Sequence, residues 1–289
     1  MGNKLSEQDF YNALRDVILS DDEVIVIYAG IWNFAYNFGG DVRKIPDMML
    51  DIIEDVVGKE RTLLFPAFCA SHFVKHGEFD LTRTQPSESG ILSKYALKRN
   101  GYVRTYQPLH SFIVKGPRAQ EILDVPCTSS WGGDSVLAWI GGMNARILAI
   151  GLPLHQACSY FHKIEEELKV PYRYFKSFKG VMYDKGEVIG PCEEVKYSYS
   201  LNCPLEYDFS IITSQLYKQN VILSSQNPMV PLKSILTSEI DIACHAVFDN
   251  DHYAAVVNKK EVKEWVKNGK QAEINALSLE NSSDKNFGS

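Results

Sequence analysis

Six kinds of reactive side chain crowd one short stretch, His155-Gln156-Ala157-Cys158-Ser159-Tyr160-Phe161-His162-Lys163-Ile164-Glu165. If a helix begins near Ser159, then Ser159, His162 and Glu165 lie three apart and share one face. Ser159 is then a plausible N-cap, and its hydroxyl sits where free backbone N–H groups and the helix dipole favour negative charge. His155, one loop earlier, can approach the same point. An imidazole titrates near neutrality and suits proton removal from an attacking group. A carboxylate beside it orients the ring and raises its basicity. The same spacing also describes an ordinary exposed helix pair with Glu165-Glu166-Glu167 as a solvated face, and spacing alone leaves both readings open. Cys158 offers a rival chemistry, a thiol nucleophile served by His155 or His162. A lone cysteine is more often packing, and no oxyanion signature accompanies it.

The elements that must position these groups can be read from periodicity. Phe10, Ala13, Leu14, Val17 and Ile18 have helical spacing, with Ser6 as a cap followed by Asp9. Val24 to Tyr28 is a β-branched run that predicts a buried strand, followed by an aromatic-rich loop from Ile31 to Gly40. Pro46 and Gly58 bracket a second helix, and Thr62 to Phe65 predicts the next strand, ended by Pro66. This β-α-β order implies a parallel pair with a right-handed crossover. Helices are predicted over Ser89–Arg99, Ser159–Leu168, Phe209–Gln219, Leu232–Ile242 and Glu261–Asn268, and strands over Ser111–Lys115 and Arg146–Ile150. Residues 170–205 are rich in Tyr, Phe, Lys, Gly and Glu without helical periodicity, and read as a β/loop lobe facing the substrate. The fold class is therefore α/β: a mixed, largely parallel central sheet flanked by helices, with that smaller lobe. Residues 1–269 form one domain, and the polar stretch 270–289 reads as a disordered tail.

Bulk composition narrows the function. Thirty basic against thirty-six acidic residues give a net charge of −6, which argues against a nucleic-acid binder. The cysteines show no CxxC and no zinc spacing, so a reducing compartment and no metal are expected. No apolar run reaches membrane-spanning length and no signal peptide is visible, so a cytoplasmic location is expected. Met1-Gly2-Asn3-Lys4-Leu5-Ser6 formally matches an N-myristoylation pattern, but Ser6 as a helix cap accounts for it more simply.

From about Ser20 to Glu166, and more weakly to about residue 255, the chain resembles the aminoglycoside 3-N-acetyltransferase (antibiotic N-acetyltransferase) family. Ordered pieces carry the resemblance: Tyr28-Ala29-Gly30-Ile31-Trp32 through Gly39-Gly40; Leu64-Phe65-Pro66-Ala67-Phe68; and Phe79-Asp80 with Arg83-Thr84. Arg104 with Pro108-Leu109-His110-Ser111 and Gly116-Pro117-Arg118-Ala119 follow, then Leu148 to Gly151 and Ser159-xx-His162-xx-Glu165. Gln107 stands where the family usually has histidine, Ala67 where a small hydroxyl residue is common, and Ser159 where threonine is usual.

The resemblance implies direct acyl transfer from acyl-CoA to an amine, with His162 as general base and Glu165 as its orienting partner. Ser159 would hydrogen-bond the thioester or the leaving thiolate, and His155 would hold the acceptor or share the proton. Ala29, Gly30, Ile31 and Trp32 would lie along the pantetheine. His110 and Ser111 would line the CoA side, and Arg104 and Arg118 would meet its phosphates; a buried structural histidine is the competing reading of His110. Residues 170–200 hold five cations against four anions, with Tyr172, Tyr174, Lys176 and Lys179 among its rings and charges. With Phe68, these are the candidate acceptor contacts. They suit a base and pyrophosphate better than a polycation, so the expected acceptor is a nucleotide-linked amino sugar. The alternatives are an aminoglycoside acetyltransferase conferring resistance and a non-catalytic binding protein on the same fold. The expected partners are thus acyl-CoA and an amine-bearing sugar, with no nucleic acid, membrane or metal. A homodimer is compatible with this reading and not specified by it.

Overall fold

The computed structural model describes residues 4–157 and 159–269. Met1-Gly2-Asn3 of the acylation pattern, Cys158 and the stretch 270–289 lie outside them. The chain opens with α1 (Glu7–Val17), capped by a reciprocal Ser6–Asp9 box. Then come β1 (Val24–Ala29), two 3-10 turns at Ile31–Asn33 and Ala35–Phe38, α2 (Ile45–Val57) and β2 (Thr62–Pro66). Short elements follow: α3 (Ala70–His76), β3 (Glu78–Asp80), α4 (Ile91–Ala96), β4 (Val103–Arg104), β5 (Phe112–Lys115), α5 (Ala119–Leu123) and α6 (Val136–Gly142). β6 (Arg146–Ile150) leads through a 3-10 turn, Leu154–Gln156, into α7 (Phe161–Glu167), β7 (Tyr174–Asp184) and β8 (Glu187–Ser198). The remaining elements are α8 (Ser210–Gln219), β9 (Leu223–Ser224), β10 (Leu232–Leu236), α9 (Thr237–Phe248) and α10 (Lys259–Lys267).

The 7-stranded main sheet has the order β4-β5-β2-β1-β6-β10-β9. β1 pairs in parallel with β2 and with β6, while every other pairing in this sheet is antiparallel. Only β5 and β10 are therefore reversed, and the sheet is mixed but largely parallel, as the β-α-β reading requires. Side-chain alternation sends neighbours to opposite layers. Val24 and Val26 pack with α6 to α10, whereas Ile25 and Ile27 pack with α1, α2 and α4. Burial on both faces explains why β1, β2 and β6 read as continuous apolar runs rather than alternating ones.

β7 and β8 form a long hairpin across residues 174–198 that β3 joins in parallel, giving a second, 3-stranded sheet. Its turn places both Lys185 and Gly186 at positive φ, the conformation that matches the twist of the flanking strands. The Asp80 carboxylate accepts from the Thr82 and Arg83 backbone and, at 2.8 Å, from the Gly186 N–H. Asp80 thus clamps the hairpin tip, while Thr84 accepts from the Asp80 backbone N–H at 2.8 Å.

Two predicted boundaries are corrected. Residues 232–236 are the strand β10, and the helix predicted from Leu232 starts at Thr237. A short apolar run buried on both faces does not reveal its period. α4 covers only Ile91–Ala96 of the predicted Ser89–Arg99. It begins after Gly90, where a Cβ would lie 2.1 Å from the Ala29 carbonyl oxygen, so the chain crosses β1 in close backbone contact before it coils.

A buried ion pair fixes the start of the central strands. Arg146 at the head of β6 pairs with Asp22 just before β1, both side chains being nearly inaccessible. Asp22→Asn leaves a buried guanidinium without its counter-charge. It is expected to cost roughly 3 kcal/mol, measured as a lower urea midpoint at unchanged m-value.

Candidate active site

The parallel strands β1, β2 and β6 end together, and such carboxyl ends are where open α/β sheets leave room for ligands. A cavity of about 300 Å³ lies there. Its floor is Ile27, Tyr28, Ala29 and Pro66; Phe68, Ser89, Gly90 and Ser93 form one wall, and His155, Ser159, His162 and Phe209 the other. The floor is tight because glycines bring backbones together. A Cβ on Gly151 would stand 2.6 Å from the Gly30 carbonyl oxygen, and one on Gly30 would stand 2.5 Å from Leu152.

His162 lies at the start of α7, ringed by Trp131 at 5.4 Å and Phe209 at 5.6 Å between centroids. Its side chain keeps 26% of its surface open, and that opening faces the cavity. Behind it stands Glu165, whose side chain is fully buried. Glu165 Oε2 is 2.6 Å from His162 Nδ1 and 2.8 Å from Arg173 Nη2, while Oε1 accepts from the Tyr172 hydroxyl at 2.8 Å. Burial pushes the Glu165 carboxyl up, but Arg173, His162 and Tyr172 together outweigh it and hold the group below its ordinary range. Burial and then Arg173 lower the His162 imidazole, against the opposing pull of Glu165. The ring is therefore neutral at neutral pH.

The tautomer follows from these charges. Glu165 is ionised, so a contact of 2.6 Å to Nδ1 requires a proton between them. The His162 Nδ1–H thus donates to Glu165, and Nε2 keeps its lone pair for the cavity side. Arg173 Nη2 also lies 2.9 Å from Nδ1, and both donors share the same carboxylate oxygen.

His155, Ser159, His162, Phe68 and Ala29 line the cavity together, with Glu165 directly behind. Ser159, however, is not the N-cap of α7. Tyr160 occupies that place and does not cap the helix with its side chain, whose hydroxyl donates to Asp241, and α7 spans only seven residues, so Ser159 does not form the expected anion-favouring helix start. The Ser159 hydroxyl instead meets the Tyr28 hydroxyl at 2.6 Å in the cavity wall.

Other expected contacts are corrected. Arg104 is buried, and its guanidinium donates to the Ala67 carbonyl at 2.8 Å, the Ser111 hydroxyl at 3.0 Å and the Thr84 carbonyl. It braces strand ends and cannot meet a solvent-borne phosphate. Arg118 pairs with Glu23 and Glu121, and its backbone N–H bonds Thr62 at the start of β2. The cavity lies at the other end of that strand, roughly 13 Å away at about 3.3 Å per residue. His110 and Ser111 are buried outside the cavity wall, His110 against Phe68 and Trp131, and Ser111 on Ala67. Gly30 and Ile31 are packed below the floor, and Trp32 stacks near Tyr36 at the surface. Tyr172 is fully buried and serves Glu165, and Tyr174 is buried too. Lys176 lies over Phe178 and Lys179 near Glu193, both on the hairpin away from the cavity lining.

Sequence reading missed Tyr28, Glu88, Phe209, Trp131 and Arg173. Tyr28 was identifiable in principle, because it ends a strand next to a parallel partner. Arg173 counts among the five cations of residues 170–200, but its place against Glu165 carried no signal, since only the turn after α7 returns it there.

A strand-end cavity walled by an imidazole, itself bonded to a buried carboxylate, thus sits on a mixed α/β fold. Residues 36–236, over two thirds of the chain, match the family model for aminoglycoside 3-N-acetyltransferase. The chain belongs to that family. One relative, aminoglycoside N(3)-acetyltransferase VIII of Streptomyces fradiae, is 24% identical over 54% of this chain and 59% of its own length. The chain thus spans under two thirds of the curated relative it matches. The solved structure of aminoglycoside acetyltransferase AAC(3)-Xa superposes with a TM-score of 0.70 at 16% identity, covering 87% of this chain and 94% of the other. AAC-IIIb, solved as a binary complex with CoASH, gives 0.68 at 16% identity over 85% and 97%. At these identities the superpositions establish the shared fold.

Tyr172 offers a direct check on the site. Tyr172→Phe removes one buried donor to an ionised carboxylate and should cost about 2 kcal/mol in urea denaturation. A loss below about 0.5 kcal/mol, the ordinary range for surface changes, would show that Glu165 does not depend on it.

Proposed function

We propose that this chain is an acyl-CoA-dependent N-acetyltransferase that acylates an amine of an aminoglycoside-type amino sugar, with His162 as general base. The observation that carries the reading is the His162 ring, held 2.6 Å from Glu165 through Nδ1 and lining a cavity at the strand ends. Family membership supports the reaction class, and AAC-IIIb was solved with CoASH.

In this reading the amine nitrogen attacks the thioester carbonyl carbon. A C–N bond forms and the C–S bond breaks; His162 takes the proton from the amine and passes it to the departing thiolate, so CoA leaves as the thiol. The Tyr28–Ser159 hydroxyl pair lines the same cavity and supplies a donor for the carbonyl oxygen or the departing sulfur. At about 300 Å³ the cavity suits a thioester end and a reacting amine, at the low limit of ligand pockets. The nucleotide end of CoA then lies outside it. Holding the two reactants together contributes beside the general base.

The acceptor reading changes with the positions of residues 170–200. Tyr172 and Arg173 are occupied with Glu165, Tyr174 is buried, and Lys179 faces Glu193, so the rings and cations that favoured a nucleotide do not surround the cavity. Among the described residues lining the cavity, Glu88 is the one carboxylate and there is no Lys or Arg. A cavity lining with one carboxylate and no cation, together with a net charge of −6, suits a polycation.

The test is thiol release from acetyl-CoA with an aminoglycoside panel and, in parallel, nucleotide-linked amino sugars. Aminoglycoside-dependent release is expected, lowered by roughly 10²- to 10⁴-fold in His162→Ala. Equal rates in wild type and variant would remove His162 from the chemistry. Release with nucleotide-linked sugars alone would restore the other acceptor class, and binding without release would leave a non-catalytic protein.

A further inference from the structure

A buried histidine beside a carboxylate is, by itself, a poor base at neutral pH. The pair is most stable as imidazolium and carboxylate, because a protonated ring cancels a buried negative charge. His162 and Glu165 escape this state for a reason that the motif does not contain. Arg173 sits against both members of the pair, with Nη2 2.8 Å from Glu165 Oε2 and 2.9 Å from His162 Nδ1, and the Arg173 and Glu165 side chains are almost completely buried. Its Nη1 donates to the Tyr197 carbonyl at 2.7 Å, and its guanidinium lies 5.4 Å from the Tyr207 ring and 5.7 Å from that of Tyr199. The negative charge of Glu165 is already matched. A proton added to His162 would leave an uncompensated positive charge in the protein interior.

We propose that Arg173 is a positioning residue that keeps His162 unprotonated and ready to accept the amine proton, by neutralising Glu165 at the oxygen the ring also meets and by standing beside the ring itself. The inference rests on the general-base reading of His162 and goes beyond the His–Glu pair. Local structure delivers Arg173 to this place. α7 ends at Glu167, Lys169 takes a positive φ, and Pro171 follows, so the chain doubles back. Tyr172 and Arg173 then reach the two oxygens of Glu165 separately.

The other charged or titratable groups around the ring do not take over this role. Lys196 of β8 also disfavours imidazolium, but ranks behind Arg173 and Glu165. His110, before β5, is itself held neutral by burial. Tyr207 stands 6.2 Å from the ring and remains protonated, its acidity suppressed by burial. Tyr28, His155 and Glu88 share the cavity with His162.

The experiment compares wild type, Arg173→Met and Arg173→Lys by pH–rate profile and by side-chain NMR titration of His162. Removing the cation should move the acidic limb of kcat/KM upward by about one pH unit or more. Activity at the acid end should then fall about tenfold further than at the alkaline end. Arg173→Lys should return the limb toward wild type. A purely structural role would lower the rate equally at every pH and leave the limb in place, which would overturn the proposal. The NMR titration stands apart from turnover. The wild-type ring should stay neutral to below pH 6.5, the ordinary histidine value, and the Met variant should titrate higher. A wild-type His162 protonated at pH 7 would sink the idea even if neither variant folds. Retention of activity in His162→Ala with the NMR shift intact would instead fault the general-base reading and leave the Arg173 effect standing.

Discussion

The site depends on one buried negative charge. Glu165 is fully enclosed, and a carboxylate there is stable only because Arg173, Tyr172 and the Nδ1–H of His162 all point at it. Each donor enters from a different direction. His162 comes from the same helix face, and Tyr172 and Arg173 come from the turn after α7. The hairpin strand β8 in turn holds the guanidinium through the Tyr197 carbonyl. The second sheet therefore reaches the chemistry from behind, through backbone, rather than by presenting side chains to a ligand.

The same economy runs through the family motifs. Asp80 and Thr84 tie down a hairpin tip, and Arg104 with Ser111 ties the end of β2 to the loop before α4. These are polar residues whose donors and acceptors are consumed internally, as buried polar groups must be. Their effect on the cavity is geometric. They fix the loops at the carboxyl end of the sheet, where Ala29, Pro66 and Gly90 set the floor and one wall. A resemblance built from such residues assigns several of them to a ligand although their polar groups are spent inside the protein.

How much was legible in the sequence follows from this division. β1, α2, β2 and β6 were readable because burial on both faces leaves β-branched runs, and because Pro46 and Gly58 punctuate a helix. β10 was read as helix because its few apolar residues do not show a period. The His162–Glu165 pair was visible because both members share a helix turn, and spacing on a helix is local information. His155, Ser159 and His162 line one cavity because the 3-10 turn and the start of α7 are close in sequence, not because they share a helix face. Arg104, Arg118 and Tyr172 were misplaced because a residue's type does not say whether its partners lie inside the protein. That depends on contacts between distant segments, such as Arg104 with Ala67 or Arg118 with Glu23.

A second histidine–glutamate pair in the same molecule shows what the arginine changes. His110 Nδ1 lies 3.2 Å from Glu194 Oε1, with the Ser130 hydroxyl at 2.6 Å and the Leu109 N–H at 2.7 Å on the same carboxyl group. Glu194 is as buried as Glu165, but no guanidinium pairs with it among the described residues. Burial prevails there and pushes Glu194 up to about 7, whereas at Glu165 the cation prevails and pushes the group down. The two sites share a histidine against a fully buried glutamate, at 2.6 Å in one and 3.2 Å in the other. They differ in one counter-charge and in one opening, since the His110 ring is sealed behind Phe68 and Trp131 while His162 meets the cavity. A carboxylate without a cation relaxes toward its neutral form and does no more than pack. With a cation behind it and a cavity in front, the same pair can hold an imidazole neutral, oriented and exposed, which are the three conditions that general-base catalysis sets.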